Sequence, residues 1–190
     1  MGMRTLCCFL LLIGVAGALH AHPHIFIDAE LELVFSQGSP VAVRTHWKFD
    51  RFFSNSILLD FAGTMQGPLN AQQIESIRTG AFENLVNYNF FMQIWVDGQH
   101  VTVDHARNFS ADVEDGQMIY SFEVDLPQSN SSSMIVGVYD DSYYCAVGYA
   151  DEQLAVQGDA PAVVHADLRE DSDHAYYFNT ISPLVFFVEW

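Results

Sequence analysis

The stretch Ala18–Leu33, ALHAHPHIFIDAELEL, sets His20, His22 and His24 at alternate positions, three of only eight histidines in 190 residues. Imidazoles ligate Zn, Ni, Cu and Co, and alternate residues of an extended chain point the same way, so this spacing suits a divalent transition metal. If His22 is the first residue of the exported chain, its amine and ring can chelate one ion, with His24 adding a second ring. Pro23 has no backbone N–H, which rules out the terminal square-planar site that needs a second-position amide. A histidine brace and an ordinary His/His/carboxylate site both remain open.

The carboxylate partner is Asp50, in HWKFDRFFS. It is placed to ligate the ion or to orient an imidazole from behind, while capping the following segment or pairing with Arg51 are its plain structural roles. His46 and Asp140 stand in second rank. His46 lies on the same face but further along, and Asp140 in VYDDSYY has reverse-turn composition. His100 and His105 differ in parity and should face opposite ways. His165 and His174 flank the acidic turn REDSD and are expected to be solvated. Cys145 in SYYCAVGY reads as a buried small apolar residue.

These residues must be positioned by a fold, and its start is marked by a leader. Arg4, the apolar run LCCFLLLIGVAGA and the small residues after it make a secretory signal peptide over 1–21, cut after Ala18 or Ala21. Cutting after Ala18 leaves Leu19 first; cutting after Ala21 frees His22. The expected remainder is one β-rich periplasmic domain, 22–190. Cys7 and Cys8 go with the leader, so Cys145 is left without a partner for an internal disulfide. Without Arg4, Lys+Arg falls from 7 to 6 against 24 Asp+Glu, a net formal charge of −18. Such acidity disfavours nucleic acid and anionic membrane surfaces and attracts cations. The last apolar run, ISPLVFFVEW, is too short to span a bilayer.

Period-two alternation dominates the exported part. Ile25, Ile27, Leu31, Leu33 and Phe35 share one parity, and Phe26, Asp28, Glu30 and Glu32 the other. After SQGSP, Val41, Val43, Thr45, Trp47 and Phe49 alternate with Arg44, His46, Lys48 and Asp50. Pairing Phe35 with Val41 sets Glu32 opposite Arg44, Glu30 opposite His46 and Asp28 opposite Lys48, a register that opposite charges favour. It also sets Asp50 opposite Phe26 and diagonal to His24, so the histidines and Asp50 should meet at the open end of this hairpin. NAQQIESIRTGAFENLVNY predicts one helix capped by Asn70. Asp97-Gly98 and Asp115-Gly116 are hairpin turns, and further strands follow on both sides of Asp140-Asp141 and REDSD. The fold expected is mainly β (α+β), an antiparallel β-sandwich with one principal helix packed on it.

The chain contains no G-x-S-x-G, C-x-x-C, H-E-x-x-H or phosphate loop, so it gives an enzymatic reading little support. With HPHIFIDA, HWKFDRFFS, VDGQ and VYDDSYY in this order, it resembles the domain-of-unknown-function family 1007 of bacterial exported proteins, across nearly the whole exported part. Members are often labelled the periplasmic component of an ABC-type transport system and are similar in context to accessories of nickel/cobalt transporters. The resemblance implies metal handling, a membrane transporter or permease as partner, and His22, His24 and Asp50 as positions to test. Two features depart from the pattern: Asp140-Asp141 stands where an aspartate-proline is usual, and Leu19 where a small residue is expected.

The leading expectation is a periplasmic binding or accessory protein that presents Ni, Co, Zn or Cu to a transporter. A histidine-brace copper oxidoreductase and a metal-free β-sandwich adaptor for a partner protein are the alternatives.

Overall fold

A computed structural model of the chain describes residues 23–65, 67–150, 152 and 154–190. The expected leader, its cut sites and His22 lie outside the described residues. The order is β1 (Ile25–Ser36), β2 (Ser39–Phe49), α1 (Arg51–Ile57), a π-helical turn Leu58–Ala62, α2 (Ala71–Gly80) and a 3-10 segment Phe82–Phe91. Nine strands follow: β3 (Met92–Val96), β4 (Gln99–His100), β5 (Arg107–Glu114), β6 (Gln117–Asp125), β7 (Ser133–Val138), β8 (Cys145–Tyr149), β9 (Ala155–Gly158), β10 (His165–Glu170) and β11 (Leu184–Glu189).

The β1–β2 hairpin follows from its alternation. Ile27, Ala29, Leu31, Leu33 and Phe35 are buried, whereas Phe26, Asp28 and Glu30 face out. The pairing is Asp28 with Lys48, Glu30 with His46 and Glu32 with Arg44, as the charge ladder predicts. At the closed end the register slips by one residue between Val34 and Phe35, so Phe35 faces Pro40 rather than Val41. The turn uses Gln37 at φ 51° and Gly38 at φ 79°, two left-handed residues whose twist suits a tight hairpin. Arg44 then bridges Glu32 on β1 and Glu123 on β6.

Two sheets stack face to face. One runs β5-β6-β2-β1-β8, with β9 also on β1; the other runs β10-β11-β7-β3-β4. Most pairings are antiparallel, but β8 and β9 both join β1 in parallel, at its start and its end. The strands flanking Asp140-Asp141 therefore do not form a hairpin. The chain leaves β7 in one sheet and enters β8 in the other. Between the sheets lie Leu33, Val43, Ile94, Val136, Phe186 and Val188, all nearly inaccessible.

Asn70 caps α2 as predicted, in a reciprocal pair with Gln73. The expected helix to Tyr88 stops at Gly80. A β-carbon at Gly80 would sit 2.2 Å from the Phe61 ring, so only glycine allows the helix end this close to the π-helical turn. Beyond it the chain tightens into the 3-10 segment, and Asn89, Phe90 and Phe91 adopt positive φ. That strained turn drives Phe82 and Phe90 into the aromatic core: Phe82 stacks on Phe109 at 4.1 Å and meets Phe122 edge-on at 5.0 Å. Asn89 secures the turn with its side chain, which accepts from Val103 N at 2.6 Å and donates to the Met92 carbonyl.

Candidate functional site

At the open end of the β1–β2 hairpin, two aspartates fix the backbone. Asp50 ends β2 and caps α1: its Oδ1 accepts from Phe52 N at 2.8 Å and Phe53 N at 3.0 Å. Its Oδ2 accepts from Phe26 N at 2.9 Å. A carboxylate offers about four lone-pair sites, so these three bonds leave one, on Oδ2. The capping role weighed for Asp50 in the sequence is thus present, and it holds the start of β1 as well.

Asp140 performs the second task. Its Oδ1 accepts from the amide and hydroxyl of Ser142 at 2.9 and 2.7 Å, and its Oδ2 from Tyr144 N and Cys145 N at 3.1 and 3.0 Å. Those four bonds fill the carboxylate, which is also buried, so Asp140 orders a loop and has no lone pair for a metal. The loop delivers the Tyr144 carbonyl to His24 N at 2.9 Å and Ile25 N at 3.3 Å. The Tyr144 ring lies 4.9 Å from the His24 ring.

His24 and Asp50 therefore stand at the same end, His24 exposed and two residues before Phe26. His46 is four steps along the chain from Asp50, roughly 13 Å, and contacts Ser121 Oγ at 2.7 Å. It belongs to the charged ladder. Among the described residues no group of three or more His, Cys, Asp and Glu is placed to hold a metal ion. A site built on His24 and Asp50 would take its further donors from His22.

Beside this end opens a cavity of about 460 Å3, lined by Trp47, Phe49, Phe91, Tyr120, Ala81 and Cys145 among others, nearly all of it apolar. Trp47 and Tyr120 are buried, and indole Nε1 and phenol Oη have no hydrogen-bond partner among the described residues. A buried polar atom left unpaired costs about 1–3 kcal/mol, and both of these atoms are closed off from the cavity as well as from solvent. In the sequence Trp47 is one member of an apolar row, and its pairing with Tyr120 across β2 and β6 depends on a strand more than sixty residues away. Cys145 lies in the same wall. Burial, and then the charge of Asp140, push its thiol up to about 12, so it is an inert thiol at neutral pH.

A second polar cluster lies on the other sheet. His174, expected to be solvated, is half-buried: its Nδ1 meets Asp171 Oδ2 at 2.6 Å and its ring packs 3.9 Å from Trp95. His100 covers Trp95 from another side at 5.0 Å and bonds Gln93 Oε1 through Nε2 at 2.9 Å. Burial raises the Asp141 carboxyl above the ordinary aspartate range, and Asp140 adds to that while His100 opposes it. His105 instead pairs with Asp104 at an exposed edge, so His100 and His105 do part company.

The family model described as "Protein of unknown function (DUF1007)" matches residues 7–180. An uncharacterized protein of Haemophilus influenzae is 25% identical over 138 residues, covering 70% of this chain and 65% of that protein. The chain thus spans just under two thirds of that relative's length. An uncharacterized 15.5 kDa protein in the trpE 3' region of Spirochaeta aurantia is 21% identical over 127 residues, covering 65% of this chain and 91% of that protein. No solved structure matches the chain. Among the described residues, no helix is long and apolar enough to cross a membrane.

Proposed function

This chain belongs to the DUF1007 family, and we propose that it is a periplasmic, non-enzymatic accessory protein that binds a divalent transition metal and presents it to a membrane transporter. The ion is cargo, one of Ni, Co, Zn or Cu, and His22, His24 and Asp50 are its proposed ligands. The observation that carries the reading is the pinning of the β1 start. Asp50 holds Phe26 N, and the Tyr144 carbonyl holds His24 N, so the residue that follows His22 and Pro23 leaves the sheet on a fixed backbone. A preorganised backbone lowers the ordering cost of closing a metal site. Oδ2 of Asp50 carries a single bond, from Phe26 N, and so keeps a lone pair.

Two further features support the reading, one for the partner and one for the ion. The rings of Phe26 and Phe52, whose amides both donate to Asp50, are 56% and 80% exposed. Exposed aromatics grouped around a polar centre are typical of surfaces that a partner covers. The acidic surface, at −18 without the leader, raises the local concentration of divalent cations.

The test begins with the mass of the exported chain, which gives its first residue. Calorimetric titration with NiCl2, CoCl2, ZnCl2 and CuCl2 should then show one equivalent bound by at least one metal. The pair His22→Ala and His24→Ala should abolish binding. Unchanged affinity in that double variant refutes the ligand assignment. Copper binding by a chain starting at His22, together with oxidative turnover, would shift the reading to an enzyme. No heat and no thermal shift with any of the four metals would leave a metal-free adaptor.

A further inference from the structure

β10, with the sequence HADLRE, ends its sheet: β11 pairs with one side of it and no strand with the other. All of its residues except Leu168 are exposed. The pairing with β11 decides which backbone groups face the open side. His165 to Glu170 stand opposite Glu189 to Leu184, and in the next pair of that register Asp171 N donates to the Pro183 carbonyl at 2.9 Å. Bonded pairs alternate along an antiparallel ladder, so His165, Asp167 and Arg169 bond to β11. The N–H and C=O groups of Ala166, Leu168 and Glu170 therefore point away from the sheet. Among the described residues no backbone group of another segment bonds them.

We propose that this edge pairs with β10 of a second copy, antiparallel, about a two-fold axis at Leu168. Outward groups must meet outward groups, which puts the axis at a residue and not between two. An axis at Asp167 sets that carboxylate against itself, and an axis at Arg169 does the same to two guanidiniums; like charges directly opposite are unfavourable. Axes at Ala166 or Glu170 pair at most half of the strand. The axis at Leu168 sets Asp167 opposite Arg169 of the second copy, twice by symmetry. Leu168 then faces Leu168 and Ala166 faces Glu170, each pair exchanging two backbone bonds. Within one copy Arg169 reaches Asp167 only at 3.7 Å, and both side chains are more than half exposed, so they can meet the second copy. Proteins blunt open edges with charge. With 24 Asp and Glu against 7 Lys and Arg, acids alone would serve that end here. A cation two residues from an acid, on the same face, makes the edge complementary to itself.

Sedimentation of the exported chain, kept free of metal with EDTA, tests the pairing. At an ionic strength of about 0.15 M, which screens the long-range repulsion of two acidic chains, the dimer fraction should rise with protein concentration. Ala166→Pro removes an outward N–H and leaves every bond to β11 in place, so it should raise the dimer dissociation constant at least about tenfold. Asp167→Arg and Arg169→Asp each set like charges opposite one another twice and should weaken the dimer by a similar factor. The two together restore opposite charges across the axis and should return the constant to within about threefold of the parent. If Ala166→Pro melts well below the parent, the charge variants decide. A chain that stays monomeric up to its solubility limit overturns the proposal, as does a dimer that Ala166→Pro and both single reversals leave unchanged. Loss in the single reversals without recovery in their combination overturns the axis at Leu168. β10 and β1 lie in different sheets, so this pairing and the metal reading can each fail without the other.

Discussion

Phe26 and Asp50 are bonded twice: Phe26 N donates to Asp50 Oδ2 at 2.9 Å, and Asp50 N donates to the Phe26 carbonyl at 2.9 Å. One of these bonds belongs to the backbone ladder and the other to a side chain that also caps α1. A single aspartate thereby ends β2, starts a helix and fixes the first strand. Asp50→Ala should therefore cost more than a cap alone, about 2 kcal/mol, read as a lower urea midpoint with an unchanged m-value. Asp50→Asn retains an oxygen for the cap but turns an amide NH2 toward Phe26 N, so it should fall between the two. Wild-type stability in Asp50→Ala would show that solvent satisfies these amides equally well.

Glu123 occupies a different kind of centre, nearly buried and bonded by Arg44, Arg107 and Asn108. Burial alone would raise its pKa, but the bonds from Asn108 and Arg44 and the two guanidinium charges hold the carboxyl below the ordinary glutamate value of 4.5. A depressed folded-state pKa means the unfolded chain takes up the proton first as pH falls. The contribution is complete above about 4.5 and disappears as pH drops through the folded value. Glu123→Gln should lose about 1.5–3 kcal/mol at pH 7 and melt with a flatter acid limb. An acid limb parallel to the parent's would assign that sensitivity to other carboxylates.

Much of this architecture was legible because strand alternation and charge pairing agree. Glu32–Arg44, Glu30–His46 and Asp28–Lys48 face each other, and with them Asp50 comes to Phe26. What could not be read depends on contacts distant in sequence. The slip between Val34 and Phe35 lies where β9 pairs with β1 from more than a hundred residues away. The end of α2 at Gly80 depends on the Phe61 ring, whereas helical periodicity alone runs on to Tyr88. The acidic neighbours of His174 point to solvent, yet the Trp95 ring on β3 packs against one side of it. The histidine pattern at the front was visible at once. The aromatic cavity was not, since apolar alternation does not distinguish a filled core from a hollow one.

Gly158 closes the β9–β1 pairing at Phe35, with φ +82° and a hypothetical β-carbon only 2.0 Å from the Phe35 carbonyl oxygen. Both the backbone conformation and the space demand glycine. Gly38, at φ +79°, has nothing within 4 Å of its hypothetical β-carbon, so the conformational demand acts there alone. Gly38→Ala should cost about 1 kcal/mol, and Gly158→Ala about 2–3 kcal/mol, compared in one denaturation series. Equal costs would show that β9 shifts aside without penalty and contributes little to holding β1.

His100 should give the fold a pH response near neutrality. Burial lowers its pKa below the ordinary 6.5, the charge of Asp141 offsets part of that, and His174 opposes protonation further. The folded chain then binds this proton less readily than the unfolded one, so stability rises with pH between the folded value and about 6.5. Its contribution is complete above about 6.5 and is lost as pH falls through the folded value. His105 works in the other direction: its bond with Asp104 raises its pKa, so a bare melting profile sums opposing slopes. His100→Gln, which retains an amide to meet Gln93, isolates the term. The parent should lose melting temperature from pH 7 to pH 5 more steeply than His100→Gln, while His105→Gln should steepen the loss. Parallel profiles for the parent and His100→Gln would mean that the Trp95 cluster takes up the proton without strain, and the response would then belong to another group.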